Sequence, residues 1–430
     1  MNQARIVYWI LFLEGLASTG LQMVAIRQTT PFVGSSVIST SIIISVFLGA
    51  LAAGYYFGGK TPASHYQRKL VWNLVFSMVL FGLGLSYVFV SLFFGMLSNL
   101  TSDIFILGNP LIHLMAYALL ILAPLVFLLG QTVPLLLNTA LHTRTSEAAG
   151  NYTAISTVGN VIGCLLTPLV LMYFLGVSAS VIVNCLLLAF CAIRATWLQP
   201  DPSRELGPNP PSIFHVQVGL RRSIPLPRPH LVFQIITPLI VIWMFALCVW
   251  INVYSVQQLD ADGVYANIRM SKTTSNGEEG TVMFINNSPS SFIGHKTLSG
   301  WPYIEFMKSV VFAGDPTGKD VLVLGAGGFS LTAQGTHGAN VTYVDIDANV
   351  KGLSEARIYG TPIKGTFIAE DARRFLLTSK EQFDFIVLDV YSDRSAIPAH
   401  ISTAEFFTLV SDHLKEQGRV LLNLVISPTL

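Results

Sequence analysis

Charge is scarce in this sequence. Asp, Glu, Lys and Arg make up only 11% of its 430 residues, against roughly 25% in an ordinary soluble domain. Hydrophobic residues reach 52% and the mean hydropathy is +0.59. So apolar a chain is neither intrinsically disordered nor a wholly soluble enzyme, and a net charge of +1 excludes a basic nucleic-acid binder. Cysteine is scarce too. Cys164, Cys185, Cys191 and Cys248 all lie in apolar stretches without metal-ligand spacing, so neither a disulfide framework nor any metal site is expected. Acid is nearly missing from the first part of the chain. Residues 1–252 hold 11 of the 25 Lys and Arg but 5 of the 24 Asp and Glu, a net +6, which leaves the remainder at −5. The first part reads as membrane and the second as a mildly acidic soluble domain, in line with the two or three units that the length suggests.

A membrane span needs about 20 apolar residues. Seven stretches qualify: 6–26, 36–58, 70–97, 110–130, 150–174, 177–197 and 231–253. Spans one to six form a bundle over residues 1–198, a Pro/Arg-rich loop covers 199–230, and span seven is 231–253. Residues 131–141 either extend the fourth span past Pro134 or dip back into the membrane. Glu14 and the length of its run argue for a retained first helix rather than a cleaved leader. The charged loops carrying Lys60, Arg68, Lys69, Arg144, Arg194, Arg204, Arg221, Arg222 and Arg228 alternate with loops holding little beyond Arg27 and Asp103. The positive-inside rule then makes the charged loops and the N-terminus cytoplasmic. Gly54 and Gly58 form a G-x-x-x-G, which reads as tight packing within one bundle. Glu14 is an intramembrane carboxylate, either a functional group or a packing residue paired with Gln22 or His113.

After the last span the pattern changes. Residues 264–270 and 281–286 read as strands around the turn-rich stretch 272–280, a small β-hairpin subdomain over 254–300. Residues 302–313 have helical spacing, with Pro302 in the first turn and Gly314 at the stop. Then comes an alternating series over 301–430: strands 320–324, 341–346, 367–371, 384–390 and 419–425. A capping box, Ser402 to Glu405, opens a helix over 403–416 that Gly418 stops. Alternation of this kind predicts an α/β, doubly wound, Rossmann-like sheet of methyltransferase type, with its ligand at the carboxyl ends of the strands.

The acids fall at those ends. Gly325 and Gly327 follow the first strand, where missing side chains let backbone N–H groups approach a ligand. Asp345 lies 20 positions after Gly325, the spacing at which an acid accepts from ribose hydroxyls. Asp371 closes the third strand, within reach of an adenine amino group, and Asp389 closes the fourth and faces the reacting end. These form a nucleoside-type site, unless the aspartates are merely solvated helix caps.

These residues resemble a known family. The segments VLVLGAGGFS (321–330), VTYVDID (341–347), EDARRFL (370–376) and FDFIVLDVYSD (383–393), with Ile397, Pro398, His400, Thr403, Glu405 and Phe406, look like the spermidine synthases, or polyamine aminopropyltransferases. Arg27, Gly34 to Ser36 and Gly130 to Pro134 look like the branch in which a multi-span region precedes the synthase domain. The resemblance implies that Gly325 and Gly327 line the methionine-derived part of decarboxylated S-adenosylmethionine, that Asp345 holds the ribose, and that Asp371 sits near the adenine. Asp389 matches the first aspartate of a D-x-x-D motif, which orients the attacking amine and takes its proton. Tyr303 and Glu305 match two positions of a Y-H-E motif. The sequence departs from the pattern at Ser392, with Asp393 one position late, and at Ile304, Ser299, Gly300, Ala266 and Ser290. It also stops at Leu430, before the last strands that the family has.

The implied reaction moves an aminopropyl group to a diamine such as putrescine, releasing methylthioadenosine. A dicationic diamine needs carboxylates at both ends. Asp389 serves the reacting end, and Asp393 and Glu305, aided by Tyr303 and Tyr391, are candidates for the distal one. Slow turnover of putrescine, or a different acceptor amine, is therefore expected. The competing readings are an S-adenosylmethionine-dependent methyltransferase and a membrane protein that senses polyamine or nucleoside, or couples it to transport. The expected partners are the diamine and the lipid bilayer, with homodimerisation left open. The expected place is the inner cell membrane, with the soluble domain in the cytosol on chemical grounds, although seven spans point the other way.

Overall fold

The computed structural model describes residues 3–34, 36–62, 65–101, 108–137, 145–198, 229–275, 277–391 and 399–424. Its contacts divide into two compact units. The first comprises Met1–Gln28 and Ile38–Ser255, the second Thr29–Val37 and Val256–Leu430.

The first unit is helical: α1 Gln3–Val33, α2 Val37–Gly59, α3 Tyr66–Gly84, α4 Tyr87–Thr101, α5 Pro110–Leu137, α6 Ser146–Leu175, α7 Val177–Ala195 and α8 Pro229–Gln257. Six of these are long and apolar enough to cross a membrane. The third expected span is broken. Its halves, α3 and α4, are bent by 67° and pass the same test only together. Helix α5 runs past Pro134 to Leu137, so the described part of 131–141 extends the fourth stretch. Residues 138–141, like the loop 199–228, lie outside the described residues.

Small residues set the helix contacts. Gly54 and Gly58 of α2 lie against Gly130, Gln131 and Pro134 of α5, which is the within-bundle packing expected of them. A second G-x-x-x-G, Gly159 and Gly163 of α6, lies against the carbonyls of Phe12 and Leu16 of α1, and Thr19 Oγ1 donates to the Asn160 carbonyl at 2.7 Å. Only glycine lets these backbones approach so closely. Glu14 is buried. His113 is 2.9 Å from Thr101 Oγ1 and is taken up there rather than by Glu14.

The second unit opens with a four-stranded antiparallel sheet: β1 Ala261–Asp262, β2 Asn267–Ser275, β3 Glu278–Ile285 and β4 Ser288–Gly294, in that order. The expected hairpin is there, but its strands are longer. Threonines 273 and 274 suit a pleated strand and pair with Gly280 and Glu279 across the ladder. The turn shrinks to the residues around Gly277, whose φ is +80°.

Helix α9 Pro302–Val311 follows, then β5 Asp320–Leu324, β6 Asn340–Asp345, α10 Asn349–Ser354, β7 Thr366–Ala369, α11 Ala372–Thr378, β8 Phe383–Leu388, α12 Ala404–Asp412 and β9 Leu414–Leu422. The five strands form a parallel sheet in the order β7-β6-β5-β8-β9. Alternation along the strands feeds two cores. Val321, Val323, Val341, Tyr343, Phe385 and Val387 pack with Ile304, Met307 and Val311 of α9 and with Ile268 and Met283 of the first sheet. Leu322, Leu324, Val344, Ile386 and Leu388 pack with Phe375 and Leu376 of α11 and with Phe406 and Val410 of α12.

The C-terminal elements differ from expectation. Thr403, not Ser402, caps α12, accepting from Phe406 N at 3.3 Å. The helix ends at Asp412 rather than near Gly418. His413 closes it, with Nδ1 2.7 Å from the Leu409 carbonyl and Nε2 3.2 Å from that of Ser379. Gly418 instead lies inside β9, in a bulge where Leu414 pairs with Phe383 but Arg419 pairs with Phe385.

Candidate functional site

The sheet changes winding direction between β5 and β8, and such switch points leave a crevice at the strands' carboxyl ends. Gly325 sits at this point. Its φ is +92°, and a Cβ there would collide with the carbonyl oxygen of Asp389. Glycine is therefore required both by the left-handed backbone and by the approach of the next strand tip. Gly327 follows with φ +47°, and Gly328 N donates to Ser291 Oγ of β4 at 2.8 Å. Phe329 also adopts a left-handed conformation, φ 57°, and is held there by burial against Tyr343 at a ring separation of 4.9 Å. A non-glycine residue in that region stores strain of order 1–3 kcal/mol, a cost that marks built loops.

Asp345, at the tip of β6, binds this loop directly. Its Oδ2 accepts from Ala326 N at 2.9 Å and its Oδ1 from Asp347 N at 3.0 Å. Burial pushes its carboxyl above the usual aspartate range, and the backbone N–H groups of Asp347, Ala326 and Gly327 oppose that. The carboxylate thus fixes the glycine loop.

Asp389 closes β8 on the other side of the switch. Tyr303 of α9 donates its hydroxyl to Oδ2 at 3.1 Å, and Asn423 Nδ2 donates to Oδ1 at 2.9 Å. Asn423 in turn accepts from the Tyr391 hydroxyl through its carbonyl at 2.6 Å. Burial raises the Asp389 carboxyl, while Asn423 and Tyr303 pull it part of the way back. Burial and the neighbouring Asp389 charge push the Tyr303 phenol up, so it stays a donor at neutral pH. Tyr303, Asp389 and Tyr391 are therefore brought together. Asn423 joins them without having been legible in the sequence, since it lies beyond β9 in no motif.

Two other expected residues are occupied elsewhere. Glu305 Oε1 accepts from Lys308 Nζ at 2.8 Å and from Gly300 N at 2.6 Å. Burial acts to raise its carboxyl, but Lys308 and the Gly300 N–H outweigh that and hold it below the usual range. Asp371 caps α11, accepting from Arg374 N at 3.0 Å, and its second oxygen lies 3.0 Å from His400 Nε2. Asp393 lies outside the described residues. Among the described residues no group of His, Cys, Asp and Glu could hold a metal ion.

The arrangement sets a buried, hydrogen-bonded carboxylate beside a glycine loop at the carboxyl ends of the strands. No family model matches the chain. It is 28% identical over 130 residues to a protein of Bifidobacterium longum (strain NCC 2705) described as a probable polyamine aminopropyl transferase, a match covering 30% of this chain and 29% of that protein. It is also 30% identical over 69 residues to polyamine aminopropyltransferase 2 of Aquifex aeolicus (strain VF5), covering 16% of this chain and 14% of that protein. The matches thus span less than a third of either relative, and what they support is a likeness to the polyamine aminopropyltransferases.

Proposed function

We propose that this chain is a membrane-anchored aminopropyltransferase with a Rossmann-like catalytic unit, moving the aminopropyl group of decarboxylated S-adenosylmethionine to an amine. The observation that carries the reading is Asp389, held by Tyr303 and Asn423 beside the Gly325 loop. The nitrogen of a neutral amine attacks the propyl carbon next to the sulfonium. A carbon–nitrogen bond forms, the carbon–sulfur bond breaks with its electron pair on sulfur, and methylthioadenosine leaves. The proton lost by the nitrogen goes to Asp389, whose raised affinity for protons suits a base. The remaining work is positioning and exclusion of water.

Glu305 is neutralised by Lys308, which leaves it a poor anchor for the far ammonium of a diamine. Slow turnover with putrescine, or a different acceptor amine, follows from that pair. The test is calorimetry on the purified full chain with decarboxylated S-adenosylmethionine, S-adenosylmethionine and methylthioadenosine, followed by product analysis with putrescine, cadaverine and agmatine. Binding of the first and third ligands with transfer to any amine supports the proposal. Binding of S-adenosylmethionine alone points to a methyltransferase. Nucleoside binding without any transfer favours a sensing role.

A further inference from the structure

We infer that the chain crosses the membrane seven times and delivers the α/β unit, with its candidate cleft, to the side opposite the N-terminus. Hydrogen bonds within the helical unit order the helix ends. Helix α3 runs antiparallel to α7: Gln67 donates to the carbonyls of Ala195 and Thr196 at 3.3 and 2.9 Å, and Cys185 Sγ meets the Met78 carbonyl at 3.5 Å. Helix α8 runs parallel to α3, with Gln234 Nε2 3.5 Å from the Thr196 carbonyl, Cys248 at Met78, and Asn252 donating to the Gly82 carbonyl at 2.8 Å. Helix α1 is antiparallel to α7, because Ile10 faces Cys191 while Gly20 faces Asn184, and its Gln28 donates to the Leu85 carbonyl at 3.2 Å.

One face of the bundle therefore holds the start of α1, Gln67, Thr196 and Gln234. The other holds Gln28, Leu85 and the end of α8. The 19 residues of α3 reach from face to face by themselves, about 28 Å at 1.5 Å per residue. Helix α5 returns antiparallel to it, with Tyr117 donating to the Gly84 carbonyl at 2.8 Å and Ser77 and Asn73 each 3.5 Å from the Leu125 and Leu128 carbonyls. The bent α4 is thus an excursion on the second face and not an eighth pass.

Among the described residues of 1–252, Arg5, Lys60, Arg68, Lys69 and Arg194 lie towards helix ends on the first face and Arg27 alone towards the second. The other five Lys and Arg, outside the described residues, fall in the sequence between α5 and α6 or between α7 and α8. By the positive-inside rule the first face is cytoplasmic. The chain leaves α8 at the second. Residues 256–430 also contain no cysteine, a composition that suits an oxidising compartment where a free thiol is a liability. This reverses the cytosolic placement expected on chemical grounds, and the aminopropyl donor and the amine must then reach the cleft from outside the cytoplasm. This deepens the reading proposed above, but the topology rests only on the bundle crossing a membrane.

The test uses the full chain carrying Cys164→Ser, with either Lys60→Cys at the first face or Ser309→Cys in the α/β unit, both at exposed positions. Spheroplasts are treated with a membrane-impermeant maleimide before and after lysis. Ser309→Cys should label before lysis and Lys60→Cys only after it. Labelling of Lys60→Cys in intact spheroplasts, or labelling of Ser309→Cys only after lysis, overturns the inference. Should a variant fail to accumulate, alkaline phosphatase fused after Leu430 gives a second readout, active in the inferred orientation and inactive in the reverse. Calorimetry on detergent-solubilised protein is blind to orientation, so failure of the topology and failure of the proposed reaction are read separately.

Discussion

Asp389 carries opposite demands for stability and for chemistry. Its folded-state pKa is raised by burial. Its contribution to folding is therefore fully present below the unfolded value, about 3.9, and is lost as pH rises through the higher folded value. At neutral pH the buried charge works against the fold. Asp389→Asn should lower kcat by about 10²–10⁴-fold, the range for a lost general base, leave methylthioadenosine affinity within a few-fold of the parent, and raise the unfolding temperature at pH 7. Turnover at the parental rate would move the base elsewhere. The neighbouring amide tunes the same group. Asn423→Ala removes a donor that favours the charged form, so the acid limb of the kcat/KM profile should move to higher pH, with activity recovering well above it. An unmoved limb would reduce Asn423 to a packing role. Gly325→Ala combines a left-handed φ with a collision against the Asp389 carbonyl. It should abolish nucleoside binding in calorimetry even where the protein still accumulates in the membrane fraction.

At the scale of elements, Glu278 ties the antiparallel sheet to the start of α9. Its Oε1 accepts from Lys296 N and Thr297 N, both at 2.8 Å, and its Oε2 from Thr297 Oγ1 at 2.6 Å and Ser299 Oγ at 3.1 Å. The Thr297 hydroxyl and backbone donors lead in pulling its pKa down to about 2. A depressed carboxylate stabilises the fold above its unfolded pKa and loses that effect as pH falls towards the folded value. Glu278→Gln should therefore lower the unfolding temperature by a few degrees at pH 7, and the difference from the parent should vanish near pH 2, as followed by circular dichroism. The strands β5 to β8 were legible within about two residues because each is a short apolar run ending in Gly or Asp. Helix α12 and β9 were misjudged because a buried histidine, held by a carbonyl 34 positions away in sequence, ends the helix before the glycine does. No local pattern signals that.

The bundle depends on glycines that carry no chemistry. A Cβ at Gly163 would meet the Leu16 carbonyl, whereas one at Gly95 meets open space. Gly163→Leu should lower the melting temperature of the detergent-solubilised chain by several degrees, while Gly95→Ala leaves it unchanged. Equal behaviour of the two would refute close approach of α1 and α6. The division into an apolar, positively charged part and an acidic α/β part, the seven apolar stretches, and the glycines and aspartates at the strand tips all follow from composition and period, which are local properties of the chain. Residues such as Gly325, Asp345 and Asp389 could be picked out because each ends a hydrophobic strand. Which carboxylates stand ready was decided only in three dimensions. Asp389 gains Asn423 and Tyr303, Glu305 is claimed by Lys308, and Asp371 by its own helix and His400. Hydrogen bonds reach about 3 Å and join residues tens of positions apart, so a carboxylate's partner is set by how the elements pack and not by the neighbours it has along the chain.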